Sequence, residues 1–184
     1  MCYFITLIVR GSPEAAVAAV LMRHGRRADP IHNPAVQSTL EPGEAQFLTT
    51  VRHCDCGTAL AAQAPDLRKQ TAKLAKKGWS CSKMERYLAD RKKADDRRQR
   101  QRVHRGDSVV LWSSIVSHLF ALPDVQQVGL LLHFYSGNVE TEIFTVTRTT
   151  VSFDNFTAHL SKIREDELLM AVCPKHRSFP NLPR

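Results

Sequence analysis

The chain opens on a run from Cys2 to Val9 that is nearly continuous in apolar, aromatic and β-branched side chains. Such a run is typical of a strand covered on both faces, so we predict a central strand. A helix from Pro13 to about His24 is predicted next, because Ser12 is a natural N-cap and Pro13 suits the first helical turn. Gly25 would end this helix. Its residues are apolar almost all round, which predicts a helix buried against the sheet.

The next part of the chain is broken by turn-forming residues and then by a cysteine cluster. Residues 26–43 carry three prolines and a glycine, and they predict a loop. A second strand is predicted from Ala45 to Arg52, and it runs directly into His53-Cys54-Asp55-Cys56-Gly57. The sequence therefore places two thiols at a strand end, a common position for functional sites.

Two helices are predicted in the polar middle of the chain. The first runs from a cap at Asp66 to about Lys77, and the second follows a cap at Ser80 or Ser82 and continues beyond Arg100. After Leu88 the apolar stripe of the second helix almost disappears. The later half of that helix is therefore not expected in a hydrophobic core.

The C-terminal part predicts one core helix, a hairpin and two shorter elements. The core helix is predicted from Asp107 or Ser108 to Pro123. The hairpin pairs Gln127 to Tyr135 with Glu140 to Arg148 around the turn Ser136-Gly137-Asn138. A short helix from Asp154 and an edge strand from Leu168 to Cys173 follow. This order predicts an α+β fold: a mixed, mainly antiparallel sheet with packed helices. We expect one domain over residues 1–184, with residues 66–106 as a protruding basic helical insertion or arm.

Length and composition are compatible with one folded domain inside the cell. The 184 residues are 43% hydrophobic and 24% charged, ordinary values for a globular chain. No segment has the pattern of an export signal or the roughly 20 apolar residues that a membrane-spanning helix needs. We therefore expect a cytoplasmic protein without a membrane partner. Its five cysteines are then expected to be reduced thiols or metal ligands.

The positive charge is concentrated in one part of the chain. Residues 67–105 hold 15 lysines and arginines against four acidic residues, a local excess of +11, whereas the rest of the chain sums to −3. A clustered field attracts polyanions and speeds encounter with them, so we predict an acidic partner. The predicted partner-binding residues are Arg91, Lys92, Lys93, Arg97, Arg98, Arg100, Arg102 and Arg105.

Three alternatives to an acidic protein partner exist for this segment. Its charges could pair internally with Asp90, Asp95 and Asp96, which would make it a solvated arm. A nucleic acid could be the partner, although the segment has few aromatic residues and lacks the spacing of a helix-turn-helix or a zinc finger. A membrane-surface helix is disfavoured because the apolar face is too short.

The cysteine pair indicates a candidate zinc site. Cys54 and Cys56 could supply two ligands of a tetrahedral ion, and Cys173 and His176 have a common spacing for the other two. His53 and Cys81 are substitute ligands. The alternative is that the pair consists of small residues that shape the end of a strand. A disulfide within the pair is disfavoured because a bridge between residues two apart is strained.

Cys2 carries a separate enzymatic hypothesis. Removal of Met1 would expose an N-terminal cysteine whose α-amino group could serve as its own base. The Met-Cys start resembles that of the class II glutamine amidotransferases, and the resemblance implies an N-terminal-nucleophile hydrolase with Cys2 as nucleophile. It covers two residues, and Tyr3 stands where those enzymes continue with glycine.

The sequence as a whole favours a non-catalytic binding protein, of the inhibitor or accessory type, that docks an acidic protein or polyanion. The competing class is a thiol- or zinc-dependent enzyme centred on Cys54 and Cys56, or a hydrolase that uses Cys2. No nucleophile elbow or glycine-rich phosphate loop is present in the sequence.

Overall fold

The computed structural model describes residues 2–51, 53–56, 58–63, 67–102 and 108–173. The strands are β1 (Cys2–Arg10), β2 (Asp29–Pro30), β3 (Glu44–Leu48), β4 (Gln127–Tyr135), β5 (Thr147–Ser152) and β6 (Glu167–Val172). The helices are α1 (Glu14–Arg23), α2 (Pro34–Gln37), α3 (Ala59–Gln63), α4 (Leu67–Lys76), α5 (Cys81–Arg102), α6 (Val109–Phe120) and α7 (Phe153–Leu160). The six strands form one mixed sheet in the order β2-β3-β1-β4-β6-β5.

The sheet confirms the predicted α+β class and its mainly antiparallel character. β1 pairs antiparallel with both β3 and β4, and β4 pairs antiparallel with β6. Only β5 and β6 run parallel among the described pairs. β1 is thus a central strand, as its continuous apolar run predicted.

The two faces of β1 belong to two hydrophobic clusters. Tyr3, Ile5 and Leu7 face the larger cluster, which includes residues of α1, α6 and α7. Ile8 faces a smaller cluster with Val36 of α2, together with residues of β4 and β6. The alternation of a strand explains this division, since successive side chains point to opposite faces.

Helix α1 differs in two respects from the prediction. Its N-cap position is Pro13 rather than Ser12, and no side chain caps it. Val17, Val20 and Leu21 are its buried residues, whereas Met22 is 74% exposed. Its small alanines made the sequence look apolar all round, but only one face is buried in the core.

Helix α6 is the core helix that its spacing predicted. Ser108 caps it, because the Ser108 Oγ accepts a hydrogen bond from the Leu111 N–H. Its buried residues are Trp112, Ile115, Val116, Leu119 and Phe120.

Two histidines link α1 to α6 and should make stability depend on pH. His24 Nε2 lies 2.8 Å from His118 Nδ1, and burial lowers the pKa of His24, helped by His118, Arg23 and Arg26. The folded state therefore favours neutral His24, so stability should fall as the pH drops below about 6.5, where the unfolded chain takes up the proton. We expect the thermal midpoint to fall between pH 7 and pH 5, and to fall less in His24→Gln than in the exposed control His32→Gln. Equal falls would contradict this assignment.

The predicted C-terminal hairpin is wrong in its second strand. β4 ends at Tyr135 as expected, but its neighbours in the sheet are β1 and, along Gln127 to Leu131, β6, and Glu140 to Arg148 do not pair with it. Residues 138–146 cross the second face of the sheet instead, where Phe144 stacks on the His133 ring at 3.5 Å. The segment Leu168 to Cys173, predicted as an edge strand, corresponds to the internal strand β6.

Side-chain contacts explain why residues 138–146 do not join the sheet as a strand. The Glu142 carboxylate accepts hydrogen bonds from the Ser136 and Gly137 N–H groups, which closes a loop directly after β4. Asn33 donates to the carbonyl oxygens of Val139 and Glu142. These contacts hold residues 138–146 against the second face of the sheet rather than alongside β4.

The basic segment is partly packed on the domain. The predicted helix boundary is confirmed, since Gly78 has a φ of +75° between α4 and α5, and Ser80 Oγ accepts from the Lys83 N–H. Leu74 of α4 is fully buried, and Tyr87 of α5 packs against the larger cluster. The predicted cap at Asp66 lies outside the described residues. Among the helices that the structure describes, none is long and apolar enough to span a bilayer.

Candidate functional site

Three cysteines converge at the end of the sheet where β1 begins. Cys2 is the first residue of β1, while Cys54 and Cys56 lie in the turn that follows β3. Their three Sγ atoms all lie within 4.8 Å of one another. The sequence predicted Cys54 and Cys56 as ligands but indicated Cys2 only as a candidate nucleophile, not as a neighbour of the pair. Antiparallel pairing was the available signal, because it places the end of one strand beside the start of its neighbour.

Asp55 fixes the turn between the two cysteines. Its carboxylate accepts a hydrogen bond of 2.9 Å from the Ile5 N–H, and its own N–H donates to the Tyr3 carbonyl oxygen at 2.8 Å. Arg26 donates to the same carboxylate at 2.9 Å. The turn therefore continues the hydrogen bonding of β1 beyond the end of β3.

The Arg26–Asp55 ion pair is buried. The two side chains are 2% and 0% exposed. Arg26 also donates to the Thr49 carbonyl oxygen at 2.9 Å, and its guanidinium lies 4.0 Å from the ring centroid of Trp112. Burial raises the pKa of Asp55 to about 7, while Arg26 and the Ile5 N–H act in the opposite direction. A buried pair of this kind makes the position of the cysteine turn depend on both partners.

The surroundings of the thiols favour their neutral form in the absence of a cation. Burial and the neighbouring Cys54 raise the pKa of Cys2. A hydrogen bond with Cys54, together with burial, raises the pKa of Cys56, and the Tyr3 N–H, 3.1 Å from the Cys56 Sγ, opposes this. A raised pKa works against Cys2 as an activated nucleophile, because the thiolate is the reactive form.

The structure does not bring the predicted second half of the zinc site to this cluster. Cys173 directly follows β6, at the end of the sheet where Arg10 ends β1, so the whole length of β1 separates it from Cys2. His176 lies outside the described residues. Cys81 is exposed at the start of α5, and His53 is exposed immediately before Cys54. The sequence could not show that Cys173 lies at the opposite end, because it does not reveal the direction in which β6 runs in the sheet.

A second polar group lies near the same end of the sheet. His133, Glu165 and Asp166 place one ligand atom each within 4.8 Å of the others. His133 is buried, which lowers its pKa, and its Nδ1 is hydrogen-bonded to Asp166. Lys73 lies 3.4 Å from Glu165, and Tyr3 donates to the same carboxylate. Because a lysine ammonium already faces Glu165, we interpret this group as a structural network rather than a metal site.

The basic residues of α5 divide into packed and exposed members. Arg91 donates to the Tyr87 hydroxyl at 3.1 Å, and its guanidinium lies 4.8 Å from the ring of Phe134 and 5.1 Å from that of Tyr3. Arg91 therefore contacts the domain. Of the predicted partner-binding residues, the exposed ones are Lys92, Lys93 and Arg97, for which the described part of the chain offers no ion-pair partner. The side chains of Arg98, Arg100 and Arg102, and all of Arg105, lie outside the described residues.

The fold and these groups define a mixed α+β domain with a three-cysteine cluster and an exposed basic helix face. Comparison of the chain with known proteins found no matching protein-family model, no matching curated protein and no matching solved structure. Its function is therefore inferred from its own residues.

Proposed function

We propose that this chain is a non-catalytic binding protein, of the inhibitor or accessory type, that docks an acidic protein through the basic face of α5. The observation that carries the proposal is the exposure of Lys92, Lys93 and Arg97 without an ion-pair partner among the described residues. Internal pairing was the main alternative for these charges. Asp90 and Asp96 are exposed beside them and form no such pair in the described part, while the side chain of Asp95 lies outside that part.

The charge distribution supports an external ligand. Residues 67–105, which include α4 and α5, carry a net charge of +11 while the rest of the chain sums to −3, so the positive charge is concentrated in one segment. Charges closer together than about 10 Å act jointly at physiological salt, and such a patch raises the rate of encounter with an acidic surface. The proposal places the protein in the cytoplasm, where its thiols stay reduced.

Contacts in the middle of α5 support a docking role because they orient the helix. Arg91 lies over the rings of Tyr3 and Phe134, and a cation over an aromatic face is attracted by the ring quadrupole. The next residues, Lys92 and Lys93, then project from a helix whose position on the domain is fixed. A partner would meet an ordered array of charges, which lowers the entropic cost of binding.

An acidic protein fits this face better than a nucleic acid does. Asp90 and Asp96 are exposed among the cations and would repel a continuous phosphate backbone. Single-stranded nucleic acids also need exposed rings for stacking. The two aromatic residues of this region contact each other instead, since the Trp79 and Tyr87 rings lie 5.7 Å apart, edge to face.

Charge reversal on α5 tests the proposal. We expect the triple variant Lys92→Glu, Lys93→Glu and Arg97→Glu to bind the acidic partner captured from the native host about ten- to hundredfold more weakly. The reason is that each exposed ion pair contributes about 0.2–1 kcal/mol and each reversal adds repulsion. Titration calorimetry at two salt concentrations measures the affinity and its salt dependence.

A control variant with the same change in net charge separates a local effect from a global one. Arg23→Glu, Lys162→Glu and Arg164→Glu alter exposed cations outside α4 and α5, and binding should change less than about threefold. Equal losses in both variants would reject the α5 face. Retention on a DNA duplex at higher salt than on immobilised polyglutamate would replace the acidic protein with a nucleic acid.

The competing function is a thiol- or zinc-dependent enzyme, favoured by the convergence of Cys54 and Cys56 with Cys2. The double variant Cys54→Ser and Cys56→Ser, compared with the α5 variant, distinguishes the two classes. If the thiol variant alone abolishes the biological effect, the binding proposal is rejected.

A further inference from the structure

We infer that Cys2, Cys54 and Cys56 bind one zinc ion through three thiolate ligands. The observation that carries this inference is the meeting of three sulfur atoms, from two segments far apart in the chain, within 4.8 Å of one another. It is independent of the basic face of α5, so the two proposals stand or fall separately.

The distances suit one tetrahedral ion. Zinc–sulfur bonds of about 2.3 Å place the sulfur atoms of one site roughly 3.8 Å apart, so the cluster needs to contract by about 1 Å or less. Side-chain rotation of Cys2 can supply such a shift. Three soft sulfur ligands select zinc over magnesium or calcium, which prefer oxygen.

The backbone around the cluster is arranged as it is around established thiolate sites. The Tyr3 N–H points at the Cys56 Sγ at 3.1 Å, and an amide hydrogen bond of this kind stabilises a metal-bound thiolate. Asp55 is held by Ile5 and Arg26, so Cys54 and Cys56 start from a fixed turn. A preformed turn reduces the ordering that metal binding must otherwise provide.

Disulfide formation explains the cluster less well than zinc does. Cys54 and Cys56 are too close in sequence for an unstrained bridge, and a bridge from Cys2 to either of them leaves the third thiol unused. Packing of three small side chains also explains less, because all three cysteines are only partly buried. Partial exposure allows an ion to enter.

Three thiolates leave one position of the tetrahedron for a further ligand. A water molecule can fill this position, and His53, which directly precedes Cys54 and is exposed, is the candidate for a fourth protein ligand. A site with three protein ligands and a water is the arrangement of catalytic zinc, whereas a fourth protein ligand gives a structural site. Zinc content in His53→Ala reports on the fourth ligand without affecting the test of the three thiols.

Metal content and thiol protection in the wild-type chain test the inference. The full chain, purified without an affinity tag, loaded with zinc and desalted, should contain about one zinc per chain. Alkylation followed by peptide mass spectrometry should then find Cys2, Cys54 and Cys56 protected and Cys81 modified. After a chelator, all three protected thiols should react.

Two outcomes of this experiment overturn the inference. One is a zinc content below about 0.2 per chain after loading. The other is protection of Cys173 in place of Cys2. Protection that survives the chelator and is lost on reduction would identify a disulfide and would also reject zinc.

A matched pair of cysteine variants gives a second test. Cys2→Ser should weaken zinc binding more than about 100-fold, since loss of a direct ligand exceeds the 10- to 100-fold effect of outer-shell partners. Cys173→Ser should retain wild-type affinity, because Cys173 lies at the other end of the sheet. Cobalt substitution adds a signature that a folding defect does not produce, as the thiolate-to-cobalt charge-transfer band weakens when one sulfur is lost. Should Cys2→Ser fail to fold, the alkylation pattern of the wild-type chain decides.

Discussion

Above about pH 8, where Asp55 with its pKa of about 7 is ionised, Asp55→Asn is expected to lower the free energy of unfolding by about 3–5 kcal/mol, because it leaves the Arg26 guanidinium charged and buried opposite a neutral amide. Both side chains are almost completely buried, and the carboxylate accepts hydrogen bonds from Arg26 and from the Ile5 N–H. The side-chain oxygen of the introduced asparagine can still accept the hydrogen bond from the Ile5 N–H. The loss of stability therefore reports on the unpaired charge of Arg26. Urea denaturation followed by circular dichroism measures it.

A second aspartate in an ion pair provides the control for Asp55. Asp29 pairs with Arg27 at 3.2 Å, but these side chains are 48% and 67% exposed. Asp29→Asn should therefore change stability by no more than about 1 kcal/mol. The double variant Arg26→Met with Asp55→Asn should recover part of the loss, since it removes the isolated charge. A loss of similar size at Asp29 and Asp55 would show that burial is not what makes the Asp55 pair important.

Elements with strong local signals could be predicted from the sequence. The continuous apolar run of β1 showed that both faces of this strand are covered, and the helical spacing with a cap at Ser108 predicted α6. Both signals depend on neighbouring residues alone. They fail at α1, because alanine is compatible with either a buried or an exposed face.

Strand partners could not be predicted in the same way. A pattern of period two fixes which side chains share a face, but it carries no information about which strand lies alongside. Glu140 to Arg148 looked like a partner for β4 because a turn sequence separates them, yet β4 pairs with β1 and β6 instead. Pairing of β6 with β4 and β5 depends on contacts that are remote in the sequence.

The candidate sites show the same division between local and remote information. Cys54 and Cys56 could be identified because they are close in sequence, and the cations of α5 because they are clustered in one stretch of the chain. Cys2 joins the pair only through the register of β1 with β3. The sequence did not indicate that Arg26 is buried. Arg26 lies in a proline-containing stretch that predicted a loop, and arginine is rarely fully buried unless it is paired.

Asn33→Ala should destabilise the fold by about 3 kcal/mol and release residues 138–146 from the sheet. The Asn33 side chain is fully buried, caps α2 by accepting from the Val36 N–H, and donates to the carbonyl oxygens of Val139 and Glu142. Loss of the cap costs about 1 kcal/mol, and each carbonyl left without its donor adds about 1 kcal/mol or more. Chymotrypsin cleavage after Phe144 should become faster, because its ring would leave the stack on His133.

Asn138→Ala is the matched control, since Asn138 also caps a turn of this segment but lies in solvent. Its Oδ1 accepts from the Glu140 N–H at 2.7 Å, and its exposure lets water replace that bond. Stability should therefore change by less than about 0.5 kcal/mol, with cleavage at Phe144 unchanged. If Asn33→Ala left the cleavage rate unchanged as well, Asn33 would not be the residue that keeps this segment off the edge of β4. The path of residues 138–146 would then depend on the Phe144 stack and on the Glu142 hydrogen bonds to Ser136 and Gly137.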